Sequence, residues 1–348
     1  MDIFSAASAS LQQHAAALTD PIPHLSQLIA HLLSTPVHGE YFPFPQFLVV
    51  HATKVALVWS IMTRGKARKD VGVLGDAFGY LVLAWGGGTI TSILLSQPPS
   101  WLISPAPWTV YPLAYALLIP TGMASYVTRT APALFLNLVF AAIDGLTRGT
   151  TIAALAPALV SARVVSTGWT YTLLSGIAVS GGGFIVSLLS LHEPKWTLAK
   201  PSILDGGILN TLDVWGAMLV AAVYSSLLRL HPELDVFATR ILPWIPAKLV
   251  TLGPTEEQPA AAVHPEAGRA VCVLLLGILL ASRAVIQAVV SKDKHTAISK
   301  KNNKKKEPAV VQKEEVTVVK SPAKPERTKV TPRKSTPSKS PKPKPKSK

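Results

Sequence analysis

Asp144 and Arg148 stand four residues apart within a largely apolar stretch, so opposite charges share one face of any helix formed there and can pair. Ionisable groups near the middle of a membrane span are expensive and face protein or water. The pair therefore points to an ion pathway that Arg148 lines or gates, with Asp144 orienting it. The same spacing also suits a structural ion pair that holds the helix in its bundle. Lys54 poses a related choice, eight residues before the end of the apolar stretch 42–62. It faces the pathway, or its stem snorkels toward headgroups. Asp76, Asp213 and Arg283 lie nearer the ends of their stretches, where an interfacial role is expected. Hydroxyls complete the set: Thr89, Thr91 and Ser92 follow the triplet Gly86, Gly87, Gly88, and Ser187 follows Gly181, Gly182, Gly183. They suit a passing cation, carbonyls freed at a glycine break, or plain helix packing.

The chemistry that is missing narrows the field. The sequence contains no HExxH, GxSxG, Walker or dinucleotide motif, and no paired membrane carboxylates on one face. The nine histidines show no metal-ligand spacing; His14, His24, His31 and His38 are spread through the N-terminal segment as a solvated surface would have them. Cys272 is the only cysteine and lies in an apolar run, so neither a disulfide nor a thiolate metal site is expected. Nothing argues for an enzyme.

The elements that must position these residues are membrane helices. The chain is 49% hydrophobic over 348 residues, with a mean hydropathy of +0.34. Of its 34 Lys and Arg residues, 19 fall in 292–348 with only 5 of the 19 acidic ones. That tail therefore carries nearly all of the +15 net charge, and the body is almost neutral. Stretches of about 20 apolar residues, enough to cross a bilayer, fall at 42–62, 73–96, 108–127, 133–160, 168–191, 206–229 and 267–290. The start, MDIFSAASAS, lacks the basic and apolar regions of a signal peptide, so the first span is expected to target the chain. Arg64, Lys66, Arg68 and Lys69 follow span one, Lys195 and Lys200 follow span five, and the tail follows span seven. Positive charge favours the cytosol, which puts the N-terminus in the lumen. Arg163, Arg240 and Lys248 lie on the opposite side.

The glycine triplets are part of a longer repeat. GGGTITSILLSQPP (86–99) matches GGGFIVSLLSLHEP (181–194) at the glycines, Ile90/Ile185, Ser92/Ser187, Leu94/Leu189 and Pro99/Pro194. The triplets fall in spans two and five, the middle spans of two three-span units, and an odd span count inverts the second unit relative to the first. Inverted repeats with glycine-interrupted helices surround midplane pathways. The predicted fold is an all-α membrane protein of seven transmembrane helices, two inverted three-helix repeats (41–127 and 133–230) plus a seventh span at 267–290. Residues 1–40 form a luminal segment, and 292–348 a disordered basic cytosolic tail rich in Lys, Pro, Ser and Thr. The connection 230–266 is either a surface-lying segment or an unstructured loop.

These motifs resemble the trimeric intracellular cation channel family of endoplasmic and sarcoplasmic reticulum membranes. The likeness is carried by the paired glycine motifs, the aromatic-proline segment YFPFP before span one, and DGLTRG (144–149) in span four, over residues 41–230. It implies a homotrimer with a potassium-permeable pore in each protomer, spans two and five bent at their glycines, and counter-ion current during calcium release. It also implies a phosphoinositide beside span four, with Thr147 and Arg148 as its contacts and no other cofactor. Asp144, Gly145 and Leu146 stand where animal members carry Lys-Glu-Val, and 230–266 is long, which together imply a divergent, fungal member.

The tail offers further expectations. Its lysines suit anionic headgroups, Ser321, Thr331, Thr336 and Ser340 each precede a proline as phosphorylation candidates, and Lys344 and Lys346 resemble a dilysine retention signal. Seven spans keep that tail at the membrane, away from nucleic acid. A secondary transporter with inverted repeats, or a non-conducting scaffold presenting the tail, remains the alternative to the channel.

Overall fold

The computed structural model describes residues 21–164, 166–204, 207–241, 249–251 and 262–304. Residues 1–296 form one compact unit and 297–348 a second, of which only the helical backbone of 297–304 is described. His14, the phosphorylation candidates and the lysines from 305 onward lie outside the described residues.

Helix α1 (Pro21–Ser34) comes first, then a hairpin of β1 (Pro36–His38) and β2 (Phe42–Pro45). The first repeat consists of α2 (Gln46–Met62), α3 (Gly72–Leu94), a short α4 (Ser100–Ile103), α5 (Pro105–Leu118) and α6 (Met123–Thr130). The second consists of α7 (Ala133–Ser161), α8 (Gly168–Leu188), α9 (Leu212–Leu228) and α10 (Asp235–Ile241). A two-residue ladder of β3 (Val250–Thr251) with β4 (Ala262–Val263) leads to α11 (Pro265–Lys304).

Among the described residues α3, α7, α8 and the first part of α11, to Ser291, are long and apolar enough to cross a membrane. Two bent pairs reach that length and apolarity only when taken together, as broken spans or re-entrant loops: α5 with α6 at 66°, and α9 with the segment Pro232–Ile241 at 99°. The first bend follows from Pro120, which has no N–H to continue the ladder, and Gly122, whose φ of +78° is left-handed. The stretch 108–127, read from sequence as one span, is therefore broken. The stretch 42–62 is also shorter than read: α2 has 17 residues because Phe42–Pro45 pair as a strand. The described residues of the connection 230–266 open with a 3-10 turn at Pro232–Leu234 and α10 and close on the β3–β4 ladder, so they are not an unstructured loop throughout.

Each repeat has its own core. Trp59, Tyr80, Tyr111 and Tyr115 fill the first, and Ile152, Leu159, Tyr171 and Leu276 fill the second together with α11. Asp76, expected at an interface, is buried in the first core. It accepts hydrogen bonds from Trp59 Nε1 (3.0 Å) and Tyr115 hydroxyl (2.7 Å), joining α2, α3 and α5. A third cluster seats Ile22 and Ile29 of α1 against Val263 of β4 and Ala267 and Ala270 at the start of α11.

Successive connections alternate between two ends of the bundle. At one end Lys66 pairs with Glu193 (2.6 Å), Arg64 Nη2 donates to Thr128 O (3.1 Å), and Trp196 packs on Phe78. At the other, Ser166 Oγ bonds His231 Nε2 (2.8 Å). The start of α3 therefore meets the end of α8, and the second three-helix unit is inverted relative to the first.

Candidate ion pathway

The glycine triplets form the crossing of α3 and α8. A Cβ built on Gly86 would lie 2.9 Å from Gly182 Cα, and one on Gly181 the same distance from Gly87 Cα. A Cβ on Gly87 would strike the Ala178 carbonyl oxygen, and one on Gly182 the Leu83 carbonyl oxygen. Ile185 covers Gly86 as Ile90 covers Gly181. Each contact becomes its partner when the two repeats are exchanged, so the sequence repeat is also a symmetry of the packing. The third glycines differ: Gly88 and Gly183 have no neighbour for a Cβ within 4 Å and line a cavity. Neither helix is interrupted at its triplet: both run unbroken, from Gly72 to Leu94 and from Gly168 to Leu188, which corrects the expectation of glycine breaks. Missing side chains here allow backbones to touch, and i→i−4 bonds survive.

The cavity has a volume of about 860 Å³ and is walled by both glycine helices together with α2, α7 and one or two residues each of other elements. Thr89, Ser92 and Ser187 face it, whereas Thr91 is buried outside it. The hydroxyls of Thr89 and Thr91 donate to Trp85 O and Gly87 O, both at 2.9 Å, one turn back on an intact helix. Thr147 does the same to Ile143 O (2.9 Å) and is buried while lining the cavity.

Five charged side chains meet on the cavity wall in one chain of ion pairs. Lys54 Nζ reaches Asp144 Oδ1 at 2.7 Å, and Arg148 Nε reaches the same oxygen at 3.0 Å. Arg148 also pairs with Asp213 Oδ1, whose other oxygen takes Arg283 Nη1 at 2.6 Å. Four helices are joined: α2, α7, α9 and α11. Asp144 and Arg148 pair as their spacing indicated. Lys54 does not snorkel, because its ammonium turns inward to Asp144 and the residue is 7% exposed. Asp213 and Arg283, expected at an interface, are instead half-buried links of this chain.

Two features were absent from the sequence reading. His51, one turn before Lys54, shares a 2.5 Å hydrogen bond with the Tyr111 hydroxyl on the cavity wall. Their helical spacing (i, i+3) was the available signal. Trp101 of α4 stacks on Trp85 with ring centroids 6.1 Å apart and donates Nε1 to Thr89 Oγ1 (2.9 Å), closing one side of the cavity. Trp101 and Trp196 occupy corresponding places in the duplicated segment, yet Trp196 packs on Phe78.

No family model matches the sequence, and no curated protein matches it. The fold is similar to three solved structures. One is a trimeric intracellular cation channel from C. elegans in the absence of Ca2+, at 13% identity and a TM-score of 0.48, covering 77% of this chain and 97% of that one. Another is a TRIC counter-ion channel described in calcium release, at 17% identity and a TM-score of 0.43, covering 57% and 89%. The third is a prokaryotic TRIC channel in 0.5 M KCl, at 17% identity and a TM-score of 0.41, covering 69% of this chain and 95% of that one.

Proposed function

We propose that this chain is a monovalent-cation channel of an intracellular membrane. The observation that carries the reading is the polar cavity at the α3–α8 crossing. An apolar helical body gains nothing by walling in hydroxyls and five charges unless water and ions use the space. The small residues of the crossing keep that space open beside Gly88 and Gly183, and Ser92, Ser187 and Thr89 supply oxygen at its wall. The arrangement is that of a passage between inverted halves rather than of a reaction centre.

The finer reading comes from the sequence motifs. The GGGTITSILLSQPP and YFPFP segments favour a homotrimer with one pathway per protomer, conducting potassium as counter-ion for calcium release from the endoplasmic reticulum. The N-terminus would be luminal and the tail cytosolic, as the basic loop after span one indicates. Residues 41–291 would be the channel domain. A phosphoinositide beside span four, with Thr147 and Arg148 as its contacts, is part of the same motif-based reading. The Thr147 hydroxyl donates to its own helix and Arg148 lies between two carboxylates, so a headgroup would compete with those contacts.

Recording from the purified full chain in a planar bilayer with potassium salts tests the proposal. Unitary currents are the expected result. Substrate-coupled flux without unitary currents would make the same inverted repeats those of a secondary transporter. A protein that moves no solute would be a scaffold.

A further inference from the structure

The cavity wall is not charged throughout. The five ionised side chains lie on α2, α7, α9 and α11, whereas residues 77–128 contain no Lys, Arg, Asp or Glu. What that part of the chain contributes is aromatic. Trp85 of α3, Trp101 of α4 and Tyr111 of α5 line the cavity. Trp85 is their hub, with its ring centroid 6.1 Å from that of Trp101 and 5.6 Å from that of Tyr111. An aromatic ring is negative on its face and positive at its edge. Here the positive poles are engaged or covered. Trp101 Nε1 donates to Thr89 Oγ1 (2.9 Å), the Tyr111 hydroxyl is bonded to His51 (2.5 Å), and Trp85 Nε1 is buried. Trp108 Nε1 donates to Trp101 O (2.7 Å), so α4 is held by its backbone as well. The π surfaces are what these rings offer the cavity, in a geometry fixed before any ligand arrives.

We infer that Trp85, Trp101 and Tyr111 form a cation–π site on the pathway, and that the ligand it fits is an organic ammonium ion of choline size. Ring faces attract a cation within about 6 Å of a centroid, and a quaternary ammonium is the ion that aromatic surfaces hold best against water. A cavity of about 860 Å³ has room for one. The site is one-sided. Trp196, the counterpart of Trp101 in the duplicated segment, packs on Phe78 and does not line the cavity. Trp101 is thus the residue that distinguishes the two ends of the passage. This rests on the channel reading and deepens it, because it names a class of cation that the pathway holds and the end at which it holds it.

Thermal unfolding of the purified full chain tests the site without any current. Choline should raise the melting temperature in a dose-dependent way, and dimethylbutanol, its uncharged carbon isostere, should not. Trp101→Leu should raise the choline concentration needed for half the shift roughly tenfold, and Trp101→Phe, which keeps a ring, should lose less. Equal responses of the wild type to the two compounds overturn the inference whether or not the variants fold. An unchanged choline response in Trp101→Leu overturns it as well. Unitary potassium currents in a planar bilayer place the site. Choline should reduce them more from the side that α4 faces than from the other, and Trp101→Leu should remove the difference. Equal reduction from both sides, or none, overturns the inference while the channel reading stands. A chain without unitary currents would remove the channel reading, and the comparison of choline with its isostere would still decide the site.

Discussion

A methyl group at Gly87 would collide with the Ala178 carbonyl, whereas one at Gly88 would meet nothing within 4 Å. Two neighbours in one triplet thus have different jobs, one to let backbones touch and one to leave space. Gly87→Ala and Gly182→Ala should each lower stability in detergent by about 1–3 kcal/mol, the usual cost of overpacking. Gly88→Ala and Gly183→Ala should melt like wild type and reduce unitary conductance. Equal melting losses in all four would mean that the triplets are general packing sites. Arg148 poses a question of energy. Moving one elementary charge through the full potential gains about 2.3 kcal/mol per 100 mV, and leaving a buried charge without its partner costs about 3–5 kcal/mol. Membrane voltage alone therefore does not free Arg148 from both carboxylates. Asp213→Asn should loosen it and shift the voltage midpoint of opening, and Arg148→Gln should flatten the voltage response. Unchanged voltage dependence in both variants would leave Arg148 a structural strut. The Asp144–Arg148 pair was legible because its partners are one helical turn apart. The bonds of Lys54 to Asp144 and of Asp213 to Arg148 and Arg283 span 90, 65 and 70 residues, and no local pattern encodes such distances.

At the scale of elements, the second repeat is tied to α11 by a close crossing that resembles the α3–α8 contact in its use of small residues. Gly145 and Gly149 stand one turn apart on α7, and a Cβ on either would come within 2.8 Å of α11 backbone, at Gly277 and Val273 respectively. This crossing holds α11 where Arg283 can reach Asp213. The contact is one-sided, since a Cβ on Gly277 would find its nearest neighbour at 3.8 Å, an ordinary separation. Gly277→Ala should therefore be tolerated, while Gly149→Val should separate the helices and lower the melting temperature of the purified protein by several degrees. A Gly149→Val protein as stable as Gly277→Ala would show that the crossing contributes little. The helices themselves were largely legible, because a continuous apolar run of spanning length has few other solutions. Their irregularities were less so. The αL turn at Gly122 after Pro120 was written in residue types but hidden by the hydropathy of its flanks, and α2 lost its first residues to pairing between β1 and β2, which no hydropathy average reports.

Taken as a whole, the molecule is two inverted three-helix units crossing at paired glycines, and its sidedness follows from that inversion. The ends of α3 and α8 carry the same duplicated segment, with Ser100 and Lys195 at corresponding places, both exposed. If the units are inverted in the membrane, those two residues face opposite compartments. The basic residues 64–69 lie with the segment after α8, as the Lys66–Glu193 pair shows, and the proposed orientation would place that end in the cytosol. Cys272 is fully buried and gives little background, which makes introduced thiols readable. In sealed microsomes, a membrane-impermeant thiol reagent added outside should label Lys195→Cys directly. Ser100→Cys should be labelled only after the membrane is permeabilised. Both substitutions sit on exposed positions outside the cores, so the fold should survive them. Labelling of both thiols from the same side would mean that the two units run parallel in the membrane, and the passage between inverted halves would have to be abandoned.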